Sequence, residues 1–308
     1  MVTFRFYLVS LVAVFLALAM GVVVGSTLID RAIVDRLDRS VESVSDRLDR
    51  QRDENAELRE QLQQLRDYAD GTAASVVDGA LEGGAVAVVA ERGVDAEVVE
   101  SAVAMLQQAE GTAPGILWLE PSWALAEEGD RTRLAEVLDV PETGPGRLRD
   151  RAWGRLVTAL EGGSVQGDPL QDLAEGGFVT YQDVGEVESG VDVLAGVGEQ
   201  VVLVSGPRSQ LAPELTLALG QGLVRAGVPS VVAEAWDEQE DGPARGTVAG
   251  LVRDQDELAD ALSTVDDLDL VQGRVAATLA LADLRNGVRG HYGYGSDADR
   301  PLPERPPA

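Results

Sequence analysis

The 308-residue chain has no cysteine, and its 25 basic residues include no lysine, so every positive charge is an arginine. Without cysteine there is no disulfide framework and no thiolate for metal or redox chemistry. Histidine occurs once, at His291. Positive charge is scarce overall: 53 acidic residues give a net charge of −28. Such a surface repels nucleic acid, whose binding needs Lys or Arg to neutralise phosphates. The acidity itself reads first as solubility. Between Ser26 and Asp70 there is neither proline nor glycine, so nothing in that stretch interrupts a helix.

What is present begins with an uncharged run, Phe6 to Ile29, "FYLVSLVAVFLALAMGVVVGSTLI". Its 24 residues make about 36 Å of helix, enough to cross a ~30 Å hydrocarbon core. A cleaved signal peptide is the competing reading, since Ala17-Leu18-Ala19 has the shape of a cleavage site. Against it, the apolar run continues well past that point. Small residues recur every fourth position at Ala13, Ala17, Gly21 and Gly25, the spacing of closely packed membrane helix pairs.

Beyond the run, apolar residues fall into alternating steps of three and four. Val34, Leu37, Val41, Val44, Leu48, Leu58, Leu62 and Leu65 occupy the a and d sites of one heptad register, with Gln51 at d and Asn55 at a. A buried Asn at a favours a two-stranded parallel pairing, because its amide finds a partner only in its own copy. Glu54 (g) faces Arg59 (e) favourably and Arg47 (g) faces Arg52 (e) unfavourably. The expectation is a membrane helix running directly into a homodimeric coiled coil; an amphipathic helix packed on its own domain is the alternative. Arg31, Arg36, Arg39 and Arg47 after the span, against Arg5 before it, would by the positive-inside count place the stalk in the cytoplasm.

The body reads as alternating strands and helices. "AVAVVAERG" (85–93), "GILWLEP" (115–121), "FVTYQDV" (178–184), "QVVLVSGP" (200–207), "SVVAEA" (230–235) and "TVAGLV" (247–252) have buried-strand character. Helical spacing is found from Asp95, from Ala212 to Gly227 and from Val271 to Gly287, and residues 122–162 are polar and mostly helical. The fold class is therefore α/β: an N-terminal transmembrane helix continuing into a parallel coiled coil, then a mostly parallel open sheet flanked by helices. The expected divisions are an anchor at 1–29, a stalk at 30–70, an α/β domain at 71–286 and a flexible tail at 287–308.

In such sheets ligands sit beyond the carboxyl ends of strands. Glu91, Arg92, Glu120, Ser205, Gly206, Glu234 and Trp236 fall there. Only "SGPRSQ" (205–210), with Ser205, Gly206 and Arg208, has a phosphate-loop flavour, and it lacks the Gly-rich fingerprint and the lysine of a P-loop. Gly220 and Gly222 lie inside a helix rather than at a strand–helix turn. His291 sits in "GHYGYG", where nothing holds it against a nucleophile. The acids of "TVDDLD" (264–269) read as N-terminal caps of the following helix. No catalytic or metal-ligating set emerges, and the expectation is a protein without enzymatic activity and without a cofactor.

"RFYLVSLVAVFLALAMGVVVGS" followed by a coiled coil, with "STVDDLDLVQGRVAATLALADLRNG" and "GHYG" near the end, resembles the actinobacterial MctB-like family, named for mycobacterial copper transport protein B. The likeness spans nearly the whole length, and its two ends are the specific parts. It implies an anchor in the cytoplasmic membrane, a single pass, and the bulk of the chain outside the cytoplasm, against the arginine count. It also implies copper homeostasis or export. Related proteins imply a second role, with a membrane or cell-envelope partner in cell separation. The residues offer copper little: Cu(I) wants thiolate or thioether and Cu(II) wants imidazole, and here there are no Cys, one His and three Met, of which Met1 is the initiator, Met20 lies in the span and Met105 on a helix. A stalk presenting an α/β domain has the layout of a scaffold, and one helix cannot form a pore unless it oligomerises. The only spanning candidate being a helix, an outer-membrane barrel is not expected.

Overall fold

The computed structural model describes residues 4–141, 144–162, 167–184, 190–237 and 244–304, except the side chains of Arg5 and of residues 25–43. The chain divides into two units, Met1–Arg66 and Asp67–Ala308. The first is carried by helix α1, which runs as one element over Phe4–Val77 and ends inside the second unit. Within it Phe6–Val24 is long and apolar enough to cross a membrane, with mean hydropathy 2.7 and none of it buried within the chain. Ala13, Ala17 and Gly21 lie exposed on this stretch. Further along, Val44, Leu48, Leu58, Leu62 and Leu65 stay 48–64% exposed in the single chain, as do polar Gln51 and Asn55. Gly25, Val34, Leu37 and Val41 fall outside the described side chains.

The second unit is a seven-stranded sheet. Its strands are β1 (Val86–Glu91), β2 (Gly115–Leu119), β3 (Val179–Asp183), β4 (Gln200–Ser205), β5 (Ser230–Glu234), β6 (Ser263–Val265) and β7 (His291–Tyr292), in the order β3-β2-β1-β4-β5-β6-β7. All pairings are parallel except that of β3 with β2. Strands covered on both faces read as continuous apolar runs, and β1, β2, β4 and β5 are buried along their whole length. Side chains alternate between two cores, as the pleat requires. Ala87 and Val89 of β1 face α4 (Pro145–Leu160) and α6 (Pro213–Ala226); Val86, Val88 and Ala90 face α2 (Ala96–Gln108) and α9 (Val271–Arg285), which the short α7 (Thr247–Arg253) and α8 (Asp256–Ala259) precede in the chain. On the first side, α3 (Glu128–Val137), α4 and α5 (Pro169–Glu175) close over Trp123 and Trp153, stacked with centroids 3.9 Å apart, and Phe178 edge-on to Trp123.

Local chemistry explains the helix ends. Asp95 caps α2 by accepting the Glu97 N–H at 3.0 Å. α6 begins with Pro213 in its first turn and stops at Gly227, whose φ of +79° a residue with a Cβ would resist.

Four expectations need correction. α1 does not stop at Asp70 but continues to Val77, because Ala73 and Val77 are buried in the second core. Thr247–Val252 is not a strand; it forms helix α7 (Thr247–Arg253), started by Gly246 at φ +84° and by the buried Glu234 carboxylate, which accepts the N–H groups of Gly246, Val248 and Ala249. The acids of residues 264–269 do not cap α9, whose N-cap is Leu270 with no side-chain hydrogen bond. The segment from Gly287 to Glu304 is not placed as a loose tail: β7 adds the last strand, and Tyr292 is only 4% exposed.

Candidate functional site

The strand order reverses between β1 and β4, and the carboxyl ends flanking that point carry Glu91 and Ser205. Glu91 is 1% exposed. It accepts the Ser205 hydroxyl at 2.6 Å together with the hydroxyls of Ser209 and of Thr216 on α6. Burial pushes its carboxyl above the usual range, and the three hydroxyls pull against that rise without cancelling it. The loops around it are closed on one another. The Gln210 N–H donates to the Arg92 carbonyl at 2.8 Å, and the Ala235 N–H to the Ser205 carbonyl at 2.9 Å. A Cβ on Gly93 would collide with the Arg208 carbonyl, and one on Gly206 with that of Ala235. The crevice where a doubly wound sheet usually takes its ligand is thus filled by the chain.

The three residues singled out as a phosphate-like loop are already engaged. Ser205 turns its hydroxyl inward to Glu91, Gly206 packs on Ala235, and Arg208 pairs with Asp237. Next to them Arg92 pairs with Glu120 at 2.6 Å and lies 4.8 Å over the Trp118 ring. Burial works to raise the Glu120 carboxyl, but Arg92 and the Thr180 hydroxyl outweigh it and hold it below the usual range.

A second centre lies at the carboxyl ends of β5 and β6. Burial raises the Glu234 carboxyl despite the three amides it accepts. Asp266 pairs with Arg253 of α7 at 2.9 Å, both side chains almost wholly buried. Asp269 holds Arg245 through two bonds of 2.7 and 2.9 Å, and Arg245 lies 4.5 Å over Trp236. Between them Asp267 is 0% exposed, and among the described residues neither carboxylate oxygen has a hydrogen-bond partner beyond its own backbone N–H. Burial, and then the neighbouring Asp266, push it up to about 7. The backbone crowds it further, since a Cβ on Gly273 of α9 would collide with the Asp267 carbonyl. This centre was visible in the sequence only as "TVDDLD"; three acids directly after a strand were the available signal, and the β6 strand itself went unread.

Among the described residues no group of three or more His, Cys, Asp or Glu side chains is arranged to hold a metal ion. His291, in β7, has Nδ1 3.0 Å from the Thr264 hydroxyl, and burial lowers its pKa. Met105 is buried on α2.

Comparison with known proteins adds the wider context. A family model described as "Copper transport outer membrane protein, MctB" matches residues 1–303. The protein called copper transporter MctB in Mycobacterium tuberculosis (strain H37Rv) is 29% identical over 324 aligned residues, covering 97% of this chain and 98% of the relative. Its counterpart in Mycobacterium bovis gives the same figures. That of Mycobacterium leprae is 27% identical over 341 aligned residues, with 97% and 98% covered.

Proposed function

We propose a function from one premise: the chain belongs to the MctB family. It is a single-pass membrane protein whose apolar helix continues as a parallel, two-stranded coiled coil. The bulk of the chain lies outside the cytoplasm. The α/β domain works by binding a membrane or cell-envelope partner in cell separation or wall remodelling, not by turnover.

The observation that carries this reading is the seam on α1. Val44, Leu48, Leu58, Leu62 and Leu65 repeat at heptad spacing and remain about half exposed, on a stretch of the helix otherwise polar and charged. A second copy removes that stripe from water. Anchoring both copies in one bilayer raises their effective concentration and lowers the cost of pairing. The closed state of the strand ends around Glu91 supports a binding role over a catalytic one.

A second reading, copper handling, is favoured by the names of the relatives. Copper would then be the cargo, and the donors on offer are carboxylates and His291, unselective by comparison with thiolates.

The absence of native cysteine makes the test clean. In full-length chain in membranes, Leu62→Cys, at a seam position, is expected to cross-link to its own copy under mild oxidation. Gln64→Cys, on the outer face, is expected to stay monomeric. Equal cross-linking at both positions, or none at either, would overturn the coiled-coil reading.

A further inference from the structure

Much of the segment from Gly290 to Arg300 converges on one carboxylate. The Asp266 carboxylate accepts the N–H groups of Tyr294 at 2.8 Å and Gly295 at 3.0 Å through one oxygen, and pairs with Arg253 through the other. Arg253 in turn donates to the Tyr292 carbonyl and the Ser296 carbonyl, each at 3.0 Å, and to the Thr264 hydroxyl at 2.8 Å. Gly293, at φ +126°, has to be glycine, because a Cβ there would run into the Asp266 carboxylate. Besides this clamp the segment is held by the two-residue pairing of β7 with β6, by the Tyr292 side chain in the second core, by the contacts of His291 with the Thr264 hydroxyl and of the Gly290 N–H with the Ser263 hydroxyl, and by a short loop closed between His291 and Asp299. It is a strap at the sheet edge whose ionic fastening, among the described residues, is the Asp266–Arg253 pair.

Directly beside that fastening sits Asp267, buried and, among the described residues, with no donor to either oxygen beyond its own backbone N–H. A carboxyl in that position is stable when neutral; when charged it faces Asp266 and Asp269 in a buried site. We propose that Asp267 is a proton-operated latch for this strap, which stays closed while Asp267 carries its proton and loosens when it is ionised. The strap is where the strain is released because Tyr294 to Arg300 are half-buried or exposed, and because its anchor, Asp266, is the charge that an ionised Asp267 repels.

The surrounding charges set the sign. On its own loop Asp266 and Asp269 oppose ionisation, and Glu234 of β5 adds negative charge against Asp266. Arg245, before α7, favours ionisation but is committed to Asp269. Arg253 of α7 is committed to Asp266, and Arg274 of α9 donates to the carbonyls of Leu268 and Asp269. In the strap, Asp299 binds the His291 N–H, and His291 works the other way: burial lowers its pKa, so its protonation in acid would loosen the strap. Asp267 binds its proton more tightly when the strap is closed. Opening therefore becomes easier as pH rises from the ordinary carboxylate range to about 7, and levels off above.

The test is hydrogen exchange by mass spectrometry on the full chain in lipid nanodiscs, comparing peptides over 290–300 with those over β1. Protection of the strap, corrected for intrinsic rates, is expected to fall by about tenfold or more between pH 5 and pH 8, and by clearly more than that of β1, whose own smaller fall follows Glu91. Asp267→Asn is expected to remove the fall, leaving at most the opposite trend from His291. A wild-type strap that does not loosen, a fall shared equally by β1, or the same fall in Asp267→Asn would each overturn the latch. Should Asp267→Asn not fold, the wild-type contrast between strap and β1 decides the matter.

Discussion

A carboxyl as deeply placed as Glu91 is tolerated because Ser205, Ser209 and Thr216 all donate to it, and the same bonds make those hydroxyls dependent on it. Removing one side of such a network costs more than removing both, since the remaining groups stay buried without partners. Glu91→Ala is therefore expected to destabilise the α/β domain by about 3–5 kcal/mol, combining a cavity with stranded hydroxyls. Glu91→Gln keeps the volume and one acceptor and should cost much less. Because burial raises Glu91, the folded chain holds a proton that the unfolded chain has lost. Its contribution is complete below the ordinary value of 4.5 and declines as pH rises through the raised one, so the gap between wild type and Glu91→Gln should narrow from pH 5 to pH 8. All four tryptophans (Trp118, Trp123, Trp153 and Trp236) lie in this unit, so urea unfolding followed by tryptophan fluorescence reads it alone.

At the scale of elements, α1 is where pattern and structure can be played against each other. Asn55 is an a-position amide on an exposed seam, and in a paired stalk it would be buried against its copy. Asn55→Leu is expected to raise the melting temperature of the stalk but broaden its oligomer distribution. Where wild type is the dimer proposed above, light scattering that shows the same single species for the variant would remove Asn55 as the specifying residue. The helix itself was legible because an apolar run and a heptad pattern without Pro or Gly leave little else for the chain to do. β1, β2, β4 and β5 were legible for the same kind of reason, being uninterrupted apolar runs bounded by turns. α7 was misread because "TVAGLV" is β-branched at its start and short. Its helical state depends on Glu234, more than ten residues away, reaching its first amides. β6 and β7 were invisible because three and two residues carry no periodicity, and the contacts that bring them together, the Asp266–Arg253 clamp among them, join residues far apart in the chain. At the switch point, Glu91 and Ser205 were placed by strand logic. That they bind each other, closing the site, depended on how the loops meet and was not in the pattern.

The whole molecule carries a net charge of −28 with no cysteine, one histidine and three methionines, and this stock decides what a metal would meet. A surface so acidic concentrates any cation near it, so observing that copper binds would mean little; selectivity is the informative quantity. Carboxylates bind Cu(II) somewhat more tightly than Zn(II) by the general order of divalent metals, and they offer Cu(I) almost nothing. His291 is engaged with Thr264, and Met105 is buried, so neither is free to assemble a soft site without moving. Calorimetric titration of the full chain in nanodiscs, with Cu(I), Cu(II) and Zn(II) in turn, is expected to give weak association, similar for the two divalent ions, diminished by salt and absent for Cu(I). Charge screening would account for the salt effect, because unpaired surface acids lose most of their attraction within a Debye length of about 8 Å at physiological ionic strength. Submicromolar binding that persists in salt and prefers copper would reverse the argument. It would require the acids beyond β5 and β6, or His291, to rearrange into a site. The copper role carried by the relatives' names would then act through this chain directly rather than through a partner.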